Sequence, residues 1–198
     1  MKQINPIILN ALKNNNNLIT TAQVLQMGFS KQLLLNYVKA GLLERVRHGT
    51  YLLPDAWYDD MYTMMLRSER IIFSHDTALY LHGLSNRTPF RQCITLPSNT
   101  VVPGSIKNEC NYFYVKPEWH KIGLTKMRTP VGNMVRCYDL ERTICDYLRT
   151  RDRCNNELVI VALQNYAAYK GKDLNRLADY ATTFKVNSDL QKYLSVLL

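Results

Sequence analysis

The sequence predicts an α+β fold in two parts, and three observations carry that prediction. Short amphipathic runs punctuated by Gly28 and Gly41 fill the first forty residues, and two β-type runs joined by His48-Gly49 follow them. Strand-like runs of three to six residues then recur from about 70 to 138. From Asp139 onward, capping residues and 3.6-residue periodicity give helix after helix. The parse is an N-terminal winged helix-turn-helix over residues 1–57. Residues 58–198 then form a mixed β-sheet (about 70–138) plus a helical C-terminal part (about 139–198).

Taken in order, Asn5-Pro6 opens a first helix, with proline where its missing N–H costs nothing. The polar run Asn14 to Asn17 breaks that helix. Thr20 or Thr21 caps a short second helix, because a hydroxyl there accepts an orphan backbone N–H. Gly28 ends it, and Ser30 caps a third helix whose apolar positions Leu34, Tyr37 and Val38 recur at helical spacing until Gly41. Leu43 to Arg47 and Thr50 to Leu53 make a hairpin closed by Pro54. Asp55 to Arg67, rich in Met, Tyr and Trp, reads as a linking helix, and Ile71 to Phe73 as a short strand. Ser74 caps a helix from His75 to His82 that Gly83 ends. Strands are expected at Arg91 to Leu96 and Asn111 to Lys116, and a hairpin pair at Thr125 to Thr129 and Asn133 to Tyr138. Asp139 caps a helix over Leu140 to Thr150, followed by helices at Asn156 to Tyr169, Asp173 to Phe184 and Ser188 to Leu197.

The third helix carries the chemistry. In a helix-turn-helix its counterpart lies in the major groove with its N-terminal side chains at base edges. With Leu34, Tyr37 and Val38 turned inward, Ser30, Lys31, Gln32, Leu35, Asn36 and Lys39 remain on the outside. Gln and Asn match adenine edges, Lys reaches guanine or phosphate, and Leu meets a thymine methyl. Arg45, Arg47 and His48 sit on the wing, placed for backbone phosphate or the minor groove. Double-stranded DNA is the partner these residue types imply.

Charge agrees with this reading. The chain carries a formal +9, and residues 1–57 hold six Lys/Arg against two Asp/Glu, while the remaining 141 hold nineteen against fourteen. The basic excess therefore leans toward the proposed DNA reader. The five cysteines form no C-x-x-C pair, which argues against a disulfide framework and a zinc site, and Cys145 reads as a small core residue. No signal-peptide core and no membrane-length apolar run is present, so a cytoplasmic, membrane-free protein is expected.

An enzymatic reading finds little support. His75 and His82, seven residues apart on one helix face, stand about 10 Å apart along the axis, too far to share one metal. Asp139, Glu141 and Asp146 read as helix capping and surface charge, with the first two favourably facing the dipole. No phosphate loop, nucleophile elbow or nuclease-type signature is present. The expectation is no catalytic residue, no metal and no cofactor.

Three blocks carry a family resemblance. His48-Gly49-Thr50-Tyr51-Leu52-Leu53-Pro54 is similar to R-G-x-Y-x-x-P. The run from Phe73 to Arg87 is close to S-H-x-S-A-L-Y-L-H-G-L-S-D-R, and Val135 to Asp146 matches Y-D-L-E-R-T-I-x-D. In these blocks, spread over residues 18–150, the chain resembles the AbiEi-type antitoxins of type IV (AbiE) abortive-infection systems. Thr77, Asn86 and His48 depart from the pattern, the last leaving the wing-tip charge dependent on pH.

The resemblance implies an autorepressor that binds inverted repeats in its own promoter, with possible self-association on DNA. It also implies a C-terminal domain that counteracts a nucleotidyltransferase-like toxin without a stable complex. Within the matched blocks His75, His82, Arg87, Arg136 and Arg142 are the candidate antitoxicity surface. Competing structural roles are a helix-end carbonyl for His82, a pair with Asp146 for Arg142, and packed, hydrogen-bonded rings for Tyr80 and Tyr138. The alternative reading is a plain winged-helix transcription factor whose C-terminal domain senses a ligand or oligomerises.

Overall fold

The computed structural model describes residues 3–85, 87–153 and 156–197, and these fall into two compact units that divide between Thr63 and Met64. In the first unit α1 (Pro6–Asn14) is capped by Asn5, whose side chain accepts from the Ile7 N–H at 2.9 Å. Asn16 and Asn17 then adopt φ of 50° and 63°. Asparagine tolerates this left-handed region better than most residues, so the run ends the helix. It leads into β1 (Leu18–Thr20), a strand the sequence reading missed. Three residues are too few to show a period, and β1 exists because β3 pairs with it.

Thr20 caps α2 (Thr21–Gln26) in a reciprocal capping box with Gln23. Gly28, at φ 82°, turns the chain into α3 (Lys31–Lys39), and Gly41, at φ 69°, ends that helix. Ser30 occupies the N-cap position of α3, but its side chain makes no capping bond. β2 (Glu44–Arg47) and β3 (Thr50–Leu52) complete an antiparallel sheet ordered β1-β3-β2, with a register shift between Arg45 and Arg47. Ile8, Leu12, Ile19, Val24, Leu34, Tyr37, Leu43 and Tyr51 form the core beneath. Emptying one such site, for instance Leu34→Ala, costs about 2–5 kcal/mol.

The linking helix is shorter than expected. Asp55 takes φ 65° and Trp57 stands 84 % exposed, so residues 55–59 are not helical. Asp59 accepts from the Tyr62 N–H at 3.0 Å, and α4 (Asp60–Met65) starts there. The division between units falls beyond residue 57 because Asp59 and Asp60 bond within the first unit.

In the second unit a five-stranded mixed sheet runs β6-β5-β4-β8-β7. Its strands are β4 (Ile72–Phe73), β5 (Gln92–Pro97), β6 (Cys110–Val115), β7 (Leu124–Arg128) and β8 (Met134–Tyr138). β5 pairs parallel with β6 and β4 parallel with β8, while β4–β5 and β7–β8 are antiparallel. Every residue of β5 is buried, which explains its near-continuous apolar run. α5 (His75–Leu81) follows β4 and packs on β5.

α6 (Leu140–Arg149) is the hub of the helical part, contacting α5, α7 (Asn156–Ala168), α8 (Leu174–Thr183) and α9 (Asn187–Leu197). Residues 140 to 148 of α6 are all buried. That placement corrects the reading of its carboxylates as surface charge. Asp139 caps α6 through the Arg142 N–H at 2.8 Å and also accepts from Tyr180. Glu141, 4 % exposed, accepts from the Tyr166 hydroxyl at 2.9 Å and the Asp173 N–H at 3.0 Å. Asp146 is fully buried between two arginines. Helical periodicity cannot show such burial when every face is covered. Cys93, Cys110, Cys137 and Cys145 are free and buried; Cys154 lies outside the described residues.

Candidate nucleic-acid interface

α3 presents one coherent face. Leu34 and Tyr37 anchor it to the core, and the Tyr37 hydroxyl accepts from the Asn5 N–H at 2.9 Å. Ser30, Lys31, Gln32, Asn36 and Lys39 are exposed and Leu35 is half-buried. At 100° per residue the five outward positions of the helix lie within an arc of about 140°. Gln32 Nε2 donates to Asn36 Oδ1 at 3.4 Å, an i,i+4 pair along that arc.

The hairpin is tied to the helices rather than free. The Thr21 N–H donates to the carbonyl of Gly49 at 2.9 Å, so the hairpin turn is fixed against the start of α2. Gly49 sits at φ 69°, a conformation that favours glycine. Arg45 and His48 are exposed, with Arg45 Nη2 3.1 Å from His48 Nδ1. A guanidinium only donates, so the imidazole nitrogen accepts.

Arg47 behaves differently from Arg45 on the same strand. Its Nη2 lies 2.6 Å from Asp60 Oδ1, and its guanidinium stands 5.7 Å from the centre of the Tyr58 ring. Its charge is therefore already partly satisfied within the protein. Sequence reading missed Asp60 because it lies in α4, thirteen residues beyond Arg47; the acidic Asp59-Asp60 pair was the available signal.

Of the five candidate antitoxicity residues, His75 and Arg142 are buried, His82 and Arg136 half-buried, and Arg87 exposed. His75 is 1 % exposed, stacks on Phe113 at 3.7 Å, and takes a left-handed φ of 48° at the start of α5. Such strain costs about 1–3 kcal/mol and persists because both ring nitrogens are held. Nδ1 lies 2.9 Å from Ser74 Oγ and Nε2 3.0 Å from Thr150 Oγ1.

Arg142 is fully buried, paired to Asp146 Oδ2 at 3.0 Å as the sequence suggested. It also donates to the carbonyls of Trp119 and Ile122, and its guanidinium lies 4.2 Å and 4.1 Å from the Tyr138 and Phe184 ring centres. Arg136 spends its donors on the carbonyls of Met65, Ser68 and Ile71. His82 Nε2 lies 2.8 Å from the carbonyl oxygen of Tyr138 in β8, not from the end of its own helix. Arg87 is exposed. The motif residues thus hold sheet and helices together, because a buried polar group must be paired.

Burial dominates the shifted titrations in this unit. It pushes the thiols of Cys93 and Cys145 up to about 12 and that of Cys110 up to about 11. Burial alone would raise Asp146, but the Arg142 charge beside it outweighs that and holds the carboxyl below the usual carboxylate range. Among the described residues no group of three or more His, Cys, Asp or Glu side chains is placed to hold a metal, and no helix is long and apolar enough to cross a membrane.

Comparison with known proteins bears on the exposed helix and basic hairpin. Residues 6–54 match the family described as "Transcriptional regulator, AbiEi antitoxin". The resemblance to AbiEi antitoxins read from the motifs therefore holds over the N-terminal unit. No curated protein matches the chain. Among solved structures, the chain is similar to the RV2827C protein from Mycobacterium tuberculosis, with a TM-score of 0.53 and 13 % identity over 95 % of this chain and 79 % of that one. At that identity the likeness is one of fold.

Proposed function

We propose that the N-terminal unit is a winged helix-turn-helix that binds inverted repeats in its own operon's promoter and represses it. The second unit would then act as the type IV antitoxin, counteracting a nucleotidyltransferase-like toxin in the cytoplasm without a stable complex. The observation that carries the DNA-binding half is the outward arc of exposed Lys31, Gln32, Asn36 and Lys39 with half-buried Leu35 among them, together with a hairpin bearing exposed Arg45 and His48. Ser30 opens that helix, and Arg47 adds to the wing once it leaves Asp60. Lys31 and Lys39 contact phosphate or guanine, Gln32 and Asn36 base edges, and Arg45 the backbone. Two copies self-associating on an inverted repeat supply the affinity one half-site lacks.

The antitoxic half rests on the motif resemblance, with Arg87 as the exposed member of the earlier set. Gel-shift titration of the full chain on its upstream DNA tests the first half. A shift at lower protein concentration on upstream DNA than on unrelated duplex is expected, and equal affinity for both would end the proposal. Co-expression with the neighbouring toxin gene tests the second, with restored growth expected.

A second reading is favoured by one observation. His75, His82, Arg136 and Arg142 all bond inside their own unit, as in a plain winged-helix transcription factor whose C-terminal domain oligomerises or senses a ligand. Failure to rescue growth while DNA binding persists would select it.

A further inference from the structure

We infer that α3 is built to read adenine–thymine pairs, with Gln32 and Asn36 as a coupled amide pair on adenine edges and Leu35 against a thymine methyl. The inference rests on the DNA-binding reading and adds the base class that the helix selects. It starts from the Gln32–Asn36 bond, 3.4 Å between two exposed side chains one turn apart. Holding a flexible side chain before binding removes part of the ordering cost, about 0.5–1.5 kcal/mol for each one immobilised. The bond uses one Gln32 N–H and one Asn36 lone pair. Gln32 keeps an N–H and its carbonyl oxygen; Asn36 keeps both N–H groups and a second lone pair.

Each amide thus still offers one donor beside one acceptor. In the major groove adenine shows that complement, with N7 accepting and N6–H donating, whereas guanine shows two acceptors, N7 and O6, and asks for two donors from one group. Arginine and lysine are the usual guanine readers; α3 contains no arginine, and its two lysines stand at its ends rather than between the amides.

The cations of α3 sit at its ends. Lys31 and Lys39 are eight residues apart, about 12 Å along the axis. Flexible lysine side chains at the two ends of the helix can reach phosphates on either side of the contacted bases. Leu35 lies between the two rows and is half-buried, the remaining apolar contact the face offers. A thymine methyl is the major-groove group that rewards it. Taken together, the face carries two adenine-type readers and one thymine-type reader on adjoining positions.

Selection from a randomised duplex library with the purified full chain provides the test, followed by anisotropy titrations on the selected half-site at one fixed salt concentration. The expected half-site has neighbouring A·T pairs whose preference relaxes in Gln32→Ala or Asn36→Ala. Replacing the contacted adenine by 7-deazaadenine, which lacks the N7 acceptor, should weaken wild type roughly 5- to 150-fold and leave the matching amide variant unmoved. Replacing the contacted thymine by uracil should weaken wild type about 4-fold and leave Leu35→Ala unmoved. All three positions are at the surface, and circular dichroism checks that each variant folds. A selected half-site with G·C pairs at the positions governed by Gln32 and Asn36 would overturn the inference while leaving DNA binding intact. Absence of any enriched sequence would instead overturn the DNA-binding reading itself, and this inference with it.

Discussion

Replacing Asp146 by asparagine keeps the side chain's shape and removes its charge, at a site where the charge has nowhere else to come from. Asp146 and Arg142 are both 0 % exposed, with Oδ2 3.0 Å from Arg142 Nε, and Oδ1 lies 3.1 Å from Arg149 Nη2. Deleting one partner of a buried pair leaves the other charge uncompensated and typically costs about 3–5 kcal/mol. Here the Trp119 and Ile122 carbonyls and two aromatic rings still hold the guanidinium, which puts the expected loss near the lower end, about 3 kcal/mol. For a chain of this size that lowers the melting temperature by roughly 6–12 °C.

The assay is thermal and urea unfolding followed by circular dichroism, at pH 7 and again well below pH 3.8. Because the folded-state pKa of Asp146 is depressed, its contribution is present above the ordinary value of 3.8 and is lost as pH falls through the folded value. The gap between wild type and Asp146→Asn is therefore widest at neutral pH and closes on acidification. Substituting Arg142→Met together with Asp146→Leu should recover most of the loss, since well-packed apolar groups replace buried ion pairs at little cost. A single variant that melts within about 1 °C of wild type at pH 7 would refute the reasoning.

Three more outcomes follow from the same geometry. Asp60→Asn releases Arg47 for phosphate and should tighten binding to any duplex about 2- to 5-fold with a steeper salt dependence; unchanged anisotropy titrations at two salt concentrations would show the ion pair is irrelevant to binding. Gly123→Ala places a Cβ 2.6 Å from Arg142 Cβ at a residue with φ of +76°, and a loss of about 2–4 kcal/mol in urea unfolding is expected. Burial raises the pKa values of the thiols at Cys93, Cys110, Cys137 and Cys145, so iodoacetamide at pH 8 should leave all four unmodified in the native protein and label them in urea. Mass spectrometry of the digested protein reads this directly.

Much of the architecture was legible because it is written locally. Caps, stops and periodicity are short-range devices, so Asn5-Pro6, Thr20, Gly28, Gly41, Gly83 and Asp139 located helix ends to within a residue or two. Two strand-like runs around Pro130-Val131-Gly132 likewise located the hairpin of β7 and β8. β1 escaped notice because its strand character comes from pairing with β3 rather than from its own three residues. The helix expected from Asp55 shortened to Asp60 because the left-handed backbone at Asp55 and the cap at Asp59 outweigh apolar spacing.

The candidate interface divides the same way. Which α3 residues face outward follows from the period of one helix and three apolar anchors, so Lys31, Gln32, Asn36 and Lys39 were placed from the sequence alone. Whether a polar residue is free or already engaged is a long-range fact. Arg47 meets Asp60, His82 meets the Tyr138 carbonyl 56 residues away, and Arg142 meets carbonyls 20 and 23 residues back. A motif of histidines and arginines reads alike as a working surface or as internal bracing. By itself the sequence determined the order of elements and the outward face of α3, since caps and helical periods act over a few residues. Only the tertiary structure decided that His75, Arg136, Arg142 and Glu141 brace the second unit, because their burial and their bonds to distant carbonyls and side chains depend on chain segments that sequence distance does not bring together.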